Sequence, residues 1–404
     1  MTTFTPTTAA EVLDAVRWAA GEEQPLEIVG RGTKRGIGRP AQTEHAVDLS
    51  GLTGVTLYEP EELVLSARAG TSLAEIEALL AERGQEFAFE PMDYAPLFTG
   101  KTSSDGKSGT VGGALAANLS GPRRLKAGAA RDHILGVYAV SGRGEAFKAG
   151  GRVVKNVTGY DLSKAMAGSW GTLAVVTDLT FKVLPRAETE TTVALRRLDD
   201  EKAAAAMAAA LASSAEVSGA AHLPELVAAR VAGGMLGSDP ATLLRVDGFG
   251  PSVAYRVAML SDLFGGHVET IDAERSRALW AGIRDVAPYA DGTDRPVWRI
   301  SLAPSEGWKL VAALRMQAAV DAFYDWQGGL VWLRLEDDPE ADLVRRLVRG
   351  LGGGHATLVR AAAPIRAAVP VFEPQPGALG ALSARVKSEF DPKGILNPGR
   401  MATV

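Results

Sequence analysis

The sequence contains no cysteine, which excludes disulfide bonds and cysteine-ligated iron–sulfur clusters within this chain. No apolar run is long enough to span a bilayer. The formal net charge of −5 provides no basic field that would attract nucleic acid. Histidine is scarce, and its positions are scattered: His45, His133, His222, His267 and His355. No local spacing indicates a metal site, so we predict none.

Chain length and a proline followed by a polar run predict the domain organisation. A chain of 404 residues exceeds one typical core, so two domains are expected. Pro185 and the polar run 186–191 predict a boundary between a first domain at 1–187 and a second at 188–375, with a C-terminal segment at 376–404. We find no internal repeat in the sequence. The first residues lack the basic and apolar segments of a secretory signal, so we expect a cytoplasmic protein.

Two capping-box patterns predict helices in the N-terminal half. Thr8 and Glu11 would open a helix that Gly21 ends, and Ser72 and Glu75 would open a second one. Alternating or apolar runs between turn residues predict strands. These predicted strands are residues 26–29, 46–49, 55–58, 63–67, 133–140 and 172–184.

The second half alternates helical and strand patterns, which predicts an α+β domain. The alanine-rich run 201–212 favours a helix, and residues 381–390 form a terminal helix before an irregular tail. Gln327-Gly328-Gly329 is typical of a turn between two strands. The predicted strands here are residues 242–246, 297–302, 322–326 and 330–335.

A glycine-rich basic loop follows the strand at 26–29. It reads Gly30-Arg31-Gly32-Thr33-Lys34-Arg35-Gly36-Ile37-Gly38. Glycine allows a ligand to approach the backbone closely, and successive N–H groups can form a nest for an anion. A diphosphate would suit this loop, and a basic, solvated turn is the alternative. Neither the Rossmann fingerprint nor the P-loop motif matches it.

Two further patches of small and polar residues follow in the N-terminal half. Residues 108–118 are small enough for a flat ligand to pack closely, or for helix and strand backbones to do so. Residues 151–171 place several polar side chains before an apolar strand, as in a loop over a ligand or a solvated connection. The long irregular stretch 90–130 between predicted elements is typical of a functional or disordered segment.

In this order, the patches resemble the FAD-binding domain of the vanillyl-alcohol oxidase/p-cresol methylhydroxylase type of flavoprotein. The matching pieces are Gly30–Gly36, the Thr-x-Gly-Gly element Thr110–Gly113, the strand motif Gly168–Thr177 and the ending Phe390–Arg400. The resemblance implies an α+β fold with a two-subdomain FAD-binding domain and an α+β, ferredoxin-like C-terminal domain. The C-terminal tail would return to the flavin domain.

The resemblance also implies which residues hold FAD. The loop would face the pyrophosphate, the second patch would follow the adenosine-to-flavin stretch, the third would support the adenine end, and the tail would approach the isoalloxazine. In that order the residues are Arg31, Gly32, Thr33, Lys34 and Gly36; Thr110, Val111, Gly112 and Gly113; Gly171, Thr172 and Val175; and Asn397. Because the loop has no histidine and the chain no cysteine, FAD should bind non-covalently.

Within that family the chain resembles the FAD-binding E subunits of bacterial glycolate oxidases. The shared marks are residues 155–161, 297–301, 325–329, Trp332 and 354–358. This resemblance implies a complex with a larger FAD-containing catalytic subunit and an iron–sulfur subunit. Such a complex oxidises glycolate to glyoxylate, passes electrons towards the membrane quinone pool, and would hold the chain at the inner face of the membrane.

Independent catalysis is a separate question. Oxidation of a 2-hydroxy acid needs a base for the hydroxyl proton and a cation or metal for the carboxylate. Hydroxy-acid dehydrogenases of the family carry Gly-His-x-x-Gly-Asp-Gly-Asn near a metal, whereas residues 354–358 keep only the Gly-His start. Our hypothesis is that this chain binds FAD and relays electrons or supports the complex. The alternatives are a stand-alone FAD-dependent 2-hydroxy-acid oxidoreductase and a scaffold that has lost the cofactor.

Three residues are candidates for a residual catalytic pocket, namely Arg299, His355 and Tyr160. Arginine could pair with a carboxylate in bidentate fashion. In the alternative interpretation Trp298 lies in the core, Arg299 is solvated or at a subunit contact, and His355 is a structural loop residue. Tyr160 would then pack on the flavin or cover apolar surface.

Overall fold

The structure is a computed structural model that describes residues 2–101, 108–152 and 159–401. The predicted motif at 155–158 therefore lies outside the described residues. None of the helices in these ranges combines the length and the apolar character that a membrane crossing requires.

The N-terminal part contains three sheets. Its strands are β1 (Thr2–Phe4), β2 (Leu26–Val29), β3 (His45–Asp48), β4 (Val55–Glu59), β5 (Val64–Arg68), β6 (Gln85–Glu86), β7 (Ile134–Ser141), β8 (Ala146–Gly150), β9 (Ala174–Lys182) and β10 (Leu184–Pro185). Strands β1-β3-β2 form a parallel sheet and β4-β5-β9-β7-β8 an antiparallel one, while β6 pairs with β10. The helices are α1 (Ala9–Glu22), α2 (Leu73–Ala81), α3 (Ala95–Thr99), α4 (Val111–Ala116), α5 (Arg124–Ala127), α6 (Ala130–His133) and α7 (Leu162–Met166).

The second part is one eight-stranded antiparallel sheet with helices. Its strands are β11 (Thr189–Arg196), β12 (Gly219–Leu223), β13 (Ala241–Gly248), β14 (Glu269–Ile271), β15 (Val297–Leu302), β16 (Val320–Asp325), β17 (Leu330–Leu335) and β18 (Gly354–Arg360). The helices are α8 (Asp200–Ala212), α9 (Glu225–Ala228), α10 (Gly250–Leu263), α11 (Ala273–Arg284), α12 (Gly307–Arg315), α13 (Ala341–Gly350), α14 (Ala363–Ala368) and α15 (Gly377–Phe390). The prediction of an α+β fold is confirmed; the boundaries at 187 and 375 stay predictions.

The eight-stranded sheet is built from two βαββαβ units, which is the ferredoxin-like order of elements. Its strand order is β14-β11-β13-β12-β16-β17-β15-β18, so the second strands of the two units meet in the middle. There His222 of β12 pairs with Tyr324 of β16. The two units share their topology, although the sequence shows no repeat.

The ends of α1 and α2 can be compared with the predicted capping boxes. Helix α1 passes the predicted stop at Gly21 and ends at Glu22, because Glu23 adopts the left-handed conformation (φ 54°) that stops a helix. Thr8 Oγ1 accepts the N–H of Glu11 at 3.2 Å, but the Glu11 carboxylate bonds to the preceding Thr7. Ser72 precedes α2 without a side-chain cap bond. The patterns located both helix starts correctly, although neither forms the full reciprocal box.

The two faces of the eight-stranded sheet have different partners. Side chains alternate along each strand, so Tyr324 packs in the core beneath the helices. Its neighbour Phe323 points the other way and joins the core of the N-terminal part. One continuous apolar cluster therefore holds the sheet against the N-terminal part, and inward-facing residues of the sheet lie next to that part.

Candidate cofactor site

A cleft opens where β2 leads into the glycine loop. Four segments surround it: the loop, helix α4, the turn before β9, and the C-terminal tail. Its lining includes Ile28 to Arg35, Thr110, Gly112, Gly113, Ala116, Met166, Ser169, Trp170, Gly171, Ala174, Val176 and Arg400. The three patches noted in the sequence therefore meet at one place.

Glycine at this cleft is required by close contacts. A Cβ on Gly30 would lie 2.9 Å from Thr110 Oγ1, and one on Gly113 would lie 3.2 Å from Lys34 Nζ. The loop turns at Gly32 with φ 71°, which favours glycine. Larger side chains would therefore displace the residues that line the cleft, so the backbone stays open to a ligand.

Lys34 provides a positive charge that no carboxylate in the described ranges neutralises. Its Nζ has only a long contact of 3.4 Å to Thr33 Oγ1. Burial lowers the pKa of Lys34 to about 8; the charge of Asp93 acts in the opposite direction and that of Arg400 lowers it further. By contrast, Arg35 forms an ion pair with Glu27. An anion in the cleft would restore the charged form of Lys34.

Not every residue predicted to hold FAD lines the cleft. Arg31, Gly32, Thr33, Lys34, Thr110, Gly112, Gly113 and Gly171 line it. Val111 and Val175 are fully buried, and a Cβ on Gly36 would strike the ring of Phe98. Thr172 donates its hydroxyl hydrogen to the Ser169 carbonyl at 2.7 Å. These four residues are not part of the lining, and their roles towards FAD stay predictions.

Asn397 uses its side-chain amide to fix the walls of the cleft. Its Oδ1 accepts the N–H of Ile28 at 2.8 Å, and its Nδ2 donates to the Trp170 carbonyl at 2.8 Å. It thereby ties the end of β2 to the turn before β9. A direct approach of Asn397 to the isoalloxazine stays a prediction.

A second group of cations lies where the eight-stranded sheet meets the N-terminal part. Arg299 and Arg124 each place their guanidinium carbon 4.9 Å from the ring centre of Trp326. The Trp326 indole donates to the Gly121 carbonyl at 3.0 Å. Tyr94 is close enough for the Arg299 charge to lower its pKa, although burial raises that pKa overall. Within the described ranges the Arg299 guanidinium makes no hydrogen bond or ion pair.

Trp298 and Arg299 lie on opposite faces of β15. Trp298 is buried, with its indole donating to the Pro339 carbonyl at 2.8 Å, as predicted for a core residue. Arg299 is only partly exposed, with the Trp326 ring against its guanidinium, and its place in solvent or at a subunit contact stays a prediction. Strand alternation identified the face and could not show what covers it.

Asp325, which the sequence reasoning missed, adjoins this second group. Its side chain is 2% exposed, and its Oδ1 accepts the Trp326 N–H at 2.7 Å. Burial raises the pKa of Asp325 to about 7, and the charge of Glu90 raises it further, whereas Arg245 and Arg299 act in the opposite direction. A carboxyl with this pKa exchanges protons near neutrality. Residues 325–329 were noted as a shared motif, but nothing in the sequence showed that the Asp325 carboxyl is buried.

The other two catalytic candidates lie elsewhere on the surface. His355 is exposed on β18, opposite Ser301, and is therefore a strand residue, contrary to the expectation of a loop histidine. Tyr160 is 91% exposed and gives no hydrophobic cover. Across residues 2–101, 108–152 and 159–401, no three His, Asp or Glu side chains come together as metal ligands. The absence of a metal centre stays a prediction.

Comparisons with known proteins define the class of protein. Residues 2–150 match the family model of FAD binding domains. The fold matches p-cresol methylhydroxylase with a TM-score of 0.71, over 99% of this chain and 88% of that one, at 15% identity. It also matches alkyldihydroxyacetonephosphate synthase with a TM-score of 0.68, over 98% and 76% of the chains, at 16% identity. The chain is thus an FAD-binding protein with the p-cresol methylhydroxylase fold.

Sequence similarity identifies the family more closely. The chain is 33% identical to the glycolate oxidase subunit GlcE of Escherichia coli (strain K12) over 395 residues, which are 96% of each protein. The chain belongs to this family and is an FAD-dependent oxidoreductase. The glycolate oxidase subunit GlcD of Bacillus subtilis (strain 168) is 29% identical over 174 residues, 42% of this chain and 34% of that protein.

The residues present fit FAD. A glycine-walled cleft that a Cβ would narrow, together with the half-buried Lys34 and the buried Arg400, which have no ion-pair partner in the described ranges, suits a diphosphate that joins two flat ring systems. FAD is the cofactor that the family implies.

Proposed function

We propose that this chain is the FAD-binding subunit of a multi-subunit glycolate dehydrogenase. The observation that carries the proposal is the similarity to a subunit named for glycolate oxidase over 96% of both proteins. The complex would oxidise glycolate to glyoxylate, and an iron–sulfur partner would pass the electrons towards quinone. Since this chain has no cysteine, a cysteine-ligated cluster must belong to another chain.

The chain's own residues would position the cofactor. Lys34 would neutralise the diphosphate, while Gly30 and Gly113 leave room for it and Thr110 caps the adjoining helix. When bound, FAD would supply a redox centre that can accept electrons and pass them on. Of the described residues that line the cleft, none is a histidine or a cysteine, which supports non-covalent binding.

The proposal includes partners and a location. A larger FAD-containing subunit would carry out the chemistry, with this chain relaying electrons or supporting the complex. The similarity of one stretch to a GlcD subunit supports descent from a common flavin domain. The complex would lie in the cytoplasm, peripheral to the inner face of the membrane.

The absorption spectrum of the purified chain tests this division of labour. We expect a flavin spectrum that stays oxidised when glycolate is added without oxygen, and that bleaches when the larger subunit is also present. Bleaching of the lone chain by glycolate would contradict it. A protein that binds no FAD, alone or with its partners, would favour a scaffold that has lost the cofactor.

The second candidate is a stand-alone 2-hydroxy-acid oxidoreductase, and Arg299 is the observation that favours it. A covered guanidinium with no anionic partner in the described ranges suits a substrate carboxylate, and Asp325 beside it could accept the hydroxyl proton. If the lone chain is bleached, an Arg299→Gln variant should bleach much more slowly at equal flavin content. Equal rates would exclude this site.

A further inference from the structure

The C-terminal tail forms one wall of the cofactor cleft. It runs beside β2, where Leu26 donates its N–H to the Ile395 carbonyl at 2.7 Å and Asn397 donates its N–H to the Leu26 carbonyl at 2.9 Å. The Asn397 side chain adds the two bonds described above. The tail is thus fixed to the strand that leads directly into the glycine loop.

This anchoring delivers Arg400 into the cleft. Arg400 is 8% exposed, and its Nη2 donates to the Lys34 carbonyl at 2.9 Å. Its guanidinium lies 5.5 Å from the ring centre of Trp170, and its Nε has no hydrogen-bond partner. The buried Nε is the kind of group that a ligand oxygen would satisfy.

The charges around Arg400 are not balanced. Burial lowers the pKa of Arg400 to about 10; Glu27 opposes this shift, while Arg366 and Arg35 add to it. Arg400 in turn lowers the pKa of Lys34. Within the described ranges no carboxylate forms an ion pair with either Lys34 or Arg400. Repulsion between two neighbouring cations disfavours the charged form of each. An anion placed close to both would stabilise both charges.

We propose that Arg400 is a diphosphate-binding residue of the FAD site, and that docking of the tail and binding of FAD are thermodynamically coupled. Arg400 reaches the cleft only when residues 395–397 are bonded to β2. FAD therefore favours the docked tail, and by reciprocity a docked tail favours FAD. The inference rests on FAD as the cofactor and is independent of which substrate the complex oxidises.

A purely structural role for Arg400 makes the opposite prediction for the apo-protein. If Arg400 only closes the fold by stacking on Trp170, then Arg400→Gln should lower both the melting temperature without FAD and the affinity for FAD. If the function of Arg400 is to bind the diphosphate, its removal from the apo-protein relieves charge repulsion with Lys34. The apo-protein should then melt at the same or a higher temperature while FAD binds more weakly.

The experiment titrates the full-length apo-protein with FAD and follows quenching of the flavin fluorescence. We expect the dissociation constant of Arg400→Gln to rise at least tenfold and to depend less on salt concentration. The dissociation constant of Arg400→Lys should lie between those of Arg400→Gln and the wild type, because lysine keeps the positive charge but lacks the planar guanidinium that can donate two parallel hydrogen bonds. Arg385→Gln, which removes an exposed arginine of α15, is the matched control and should bind as the wild type does.

Limited trypsin digestion tests the coupling. In the wild type, FAD should slow cleavage after Lys393, which lies in the tail and is 43% exposed. In Arg400→Gln the same fraction of bound FAD should give less protection. Unchanged affinity in Arg400→Gln and Arg400→Lys would overturn the inference alone. Failure of the wild type to bind FAD would overturn the cofactor assignment as well.

Discussion

Two groups of cations in this molecule have opposite surroundings. At the contact between the N-terminal part and the eight-stranded sheet, Arg123 lies within ion-pair distance of the carboxylates of Glu86, Glu90, Glu190 and Asp247. Arg245 pairs there with Glu90 at 2.8 Å. In the cleft, Lys34 and Arg400 have no such partners among the described residues.

The difference separates structural charges from ligand-binding ones. A buried cation surrounded by carboxylates is already compensated, so it holds two parts of the chain together. A buried cation without an anion raises the free energy of the folded protein until a ligand supplies one. Arg299 belongs with the second group, although it lies beside the first.

The largest effect is expected from breaking the compensated group. The pKa of Glu90 is lowered to about 2, because attraction by Arg245 and Arg123 outweighs burial. Glu90→Gln would leave Arg245, which is 2% exposed, without its ion-pair partner, and should lower the free energy of unfolding by about 3–5 kcal/mol. Urea denaturation at pH 7 measures it. Asp239→Asn, which breaks an exposed pair with Arg197, should change it by less than about 1 kcal/mol.

A smaller effect is expected from the uncompensated carboxyl. The pKa of Asp325 is raised to about 7, so the folded protein holds this proton more tightly than the unfolded chain does. The resulting cost is absent below about pH 4, grows as the pH rises towards 7, and is constant above it. Asp325→Asn should therefore stabilise the protein by about 2–4 kcal/mol at pH 8 and by much less at pH 4. Equal changes in unfolding free energy at both pH values would refute this assignment.

The smallest effect is expected from titration of Lys34. Its pKa of about 8 lies below the usual value, and a bound diphosphate should raise it, so FAD binding takes up a proton above pH 8. FAD affinity should be constant below pH 8 and fall by up to about tenfold per pH unit above it. Lys34→Gln should bind FAD more weakly at pH 7 and lose this pH dependence. Fluorescence titrations from pH 6 to 9.5 would show either outcome.

Local patterns predicted the parts of the site that are local in sequence. The loop at 30–36 and the Thr-x-Gly-Gly element at 110–113 were found because each is a short glycine-rich run, although the contacts that require glycine, such as that of Gly30 with Thr110, are long-range. Arg400 was missed, because its contact with Lys34 joins residues 366 apart and no spacing rule links them. The tail motif indicated a return to the flavin domain, but the sequence could not show which side chain enters the cleft.

The secondary structure was also predictable where the signal is local in sequence. Strands such as 26–29, 297–302 and 330–335 were located to the residue, since their ends coincide with glycine, proline or charged residues. The strand β1 was missed, because it has only three residues, two of them exposed threonines, and its partner is the distant β3. The two βαββαβ units of the eight-stranded sheet were not recognised in the sequence, because they share the path of the backbone and no visible sequence pattern.

The anchoring of the tail has a consequence for how the protein is made. The bond between Ile28 and Asn397 joins residues 369 apart in sequence. Contacts of such separation form late, after the loop between them has been ordered. On the ribosome the glycine loop emerges early, most of the sheet strands follow, and the second cation of the cleft arrives only with Arg400. If Arg400 binds the diphosphate as proposed, FAD should be held tightly only by a nascent chain that has been translated past its tail, and shorter products should hold it more weakly.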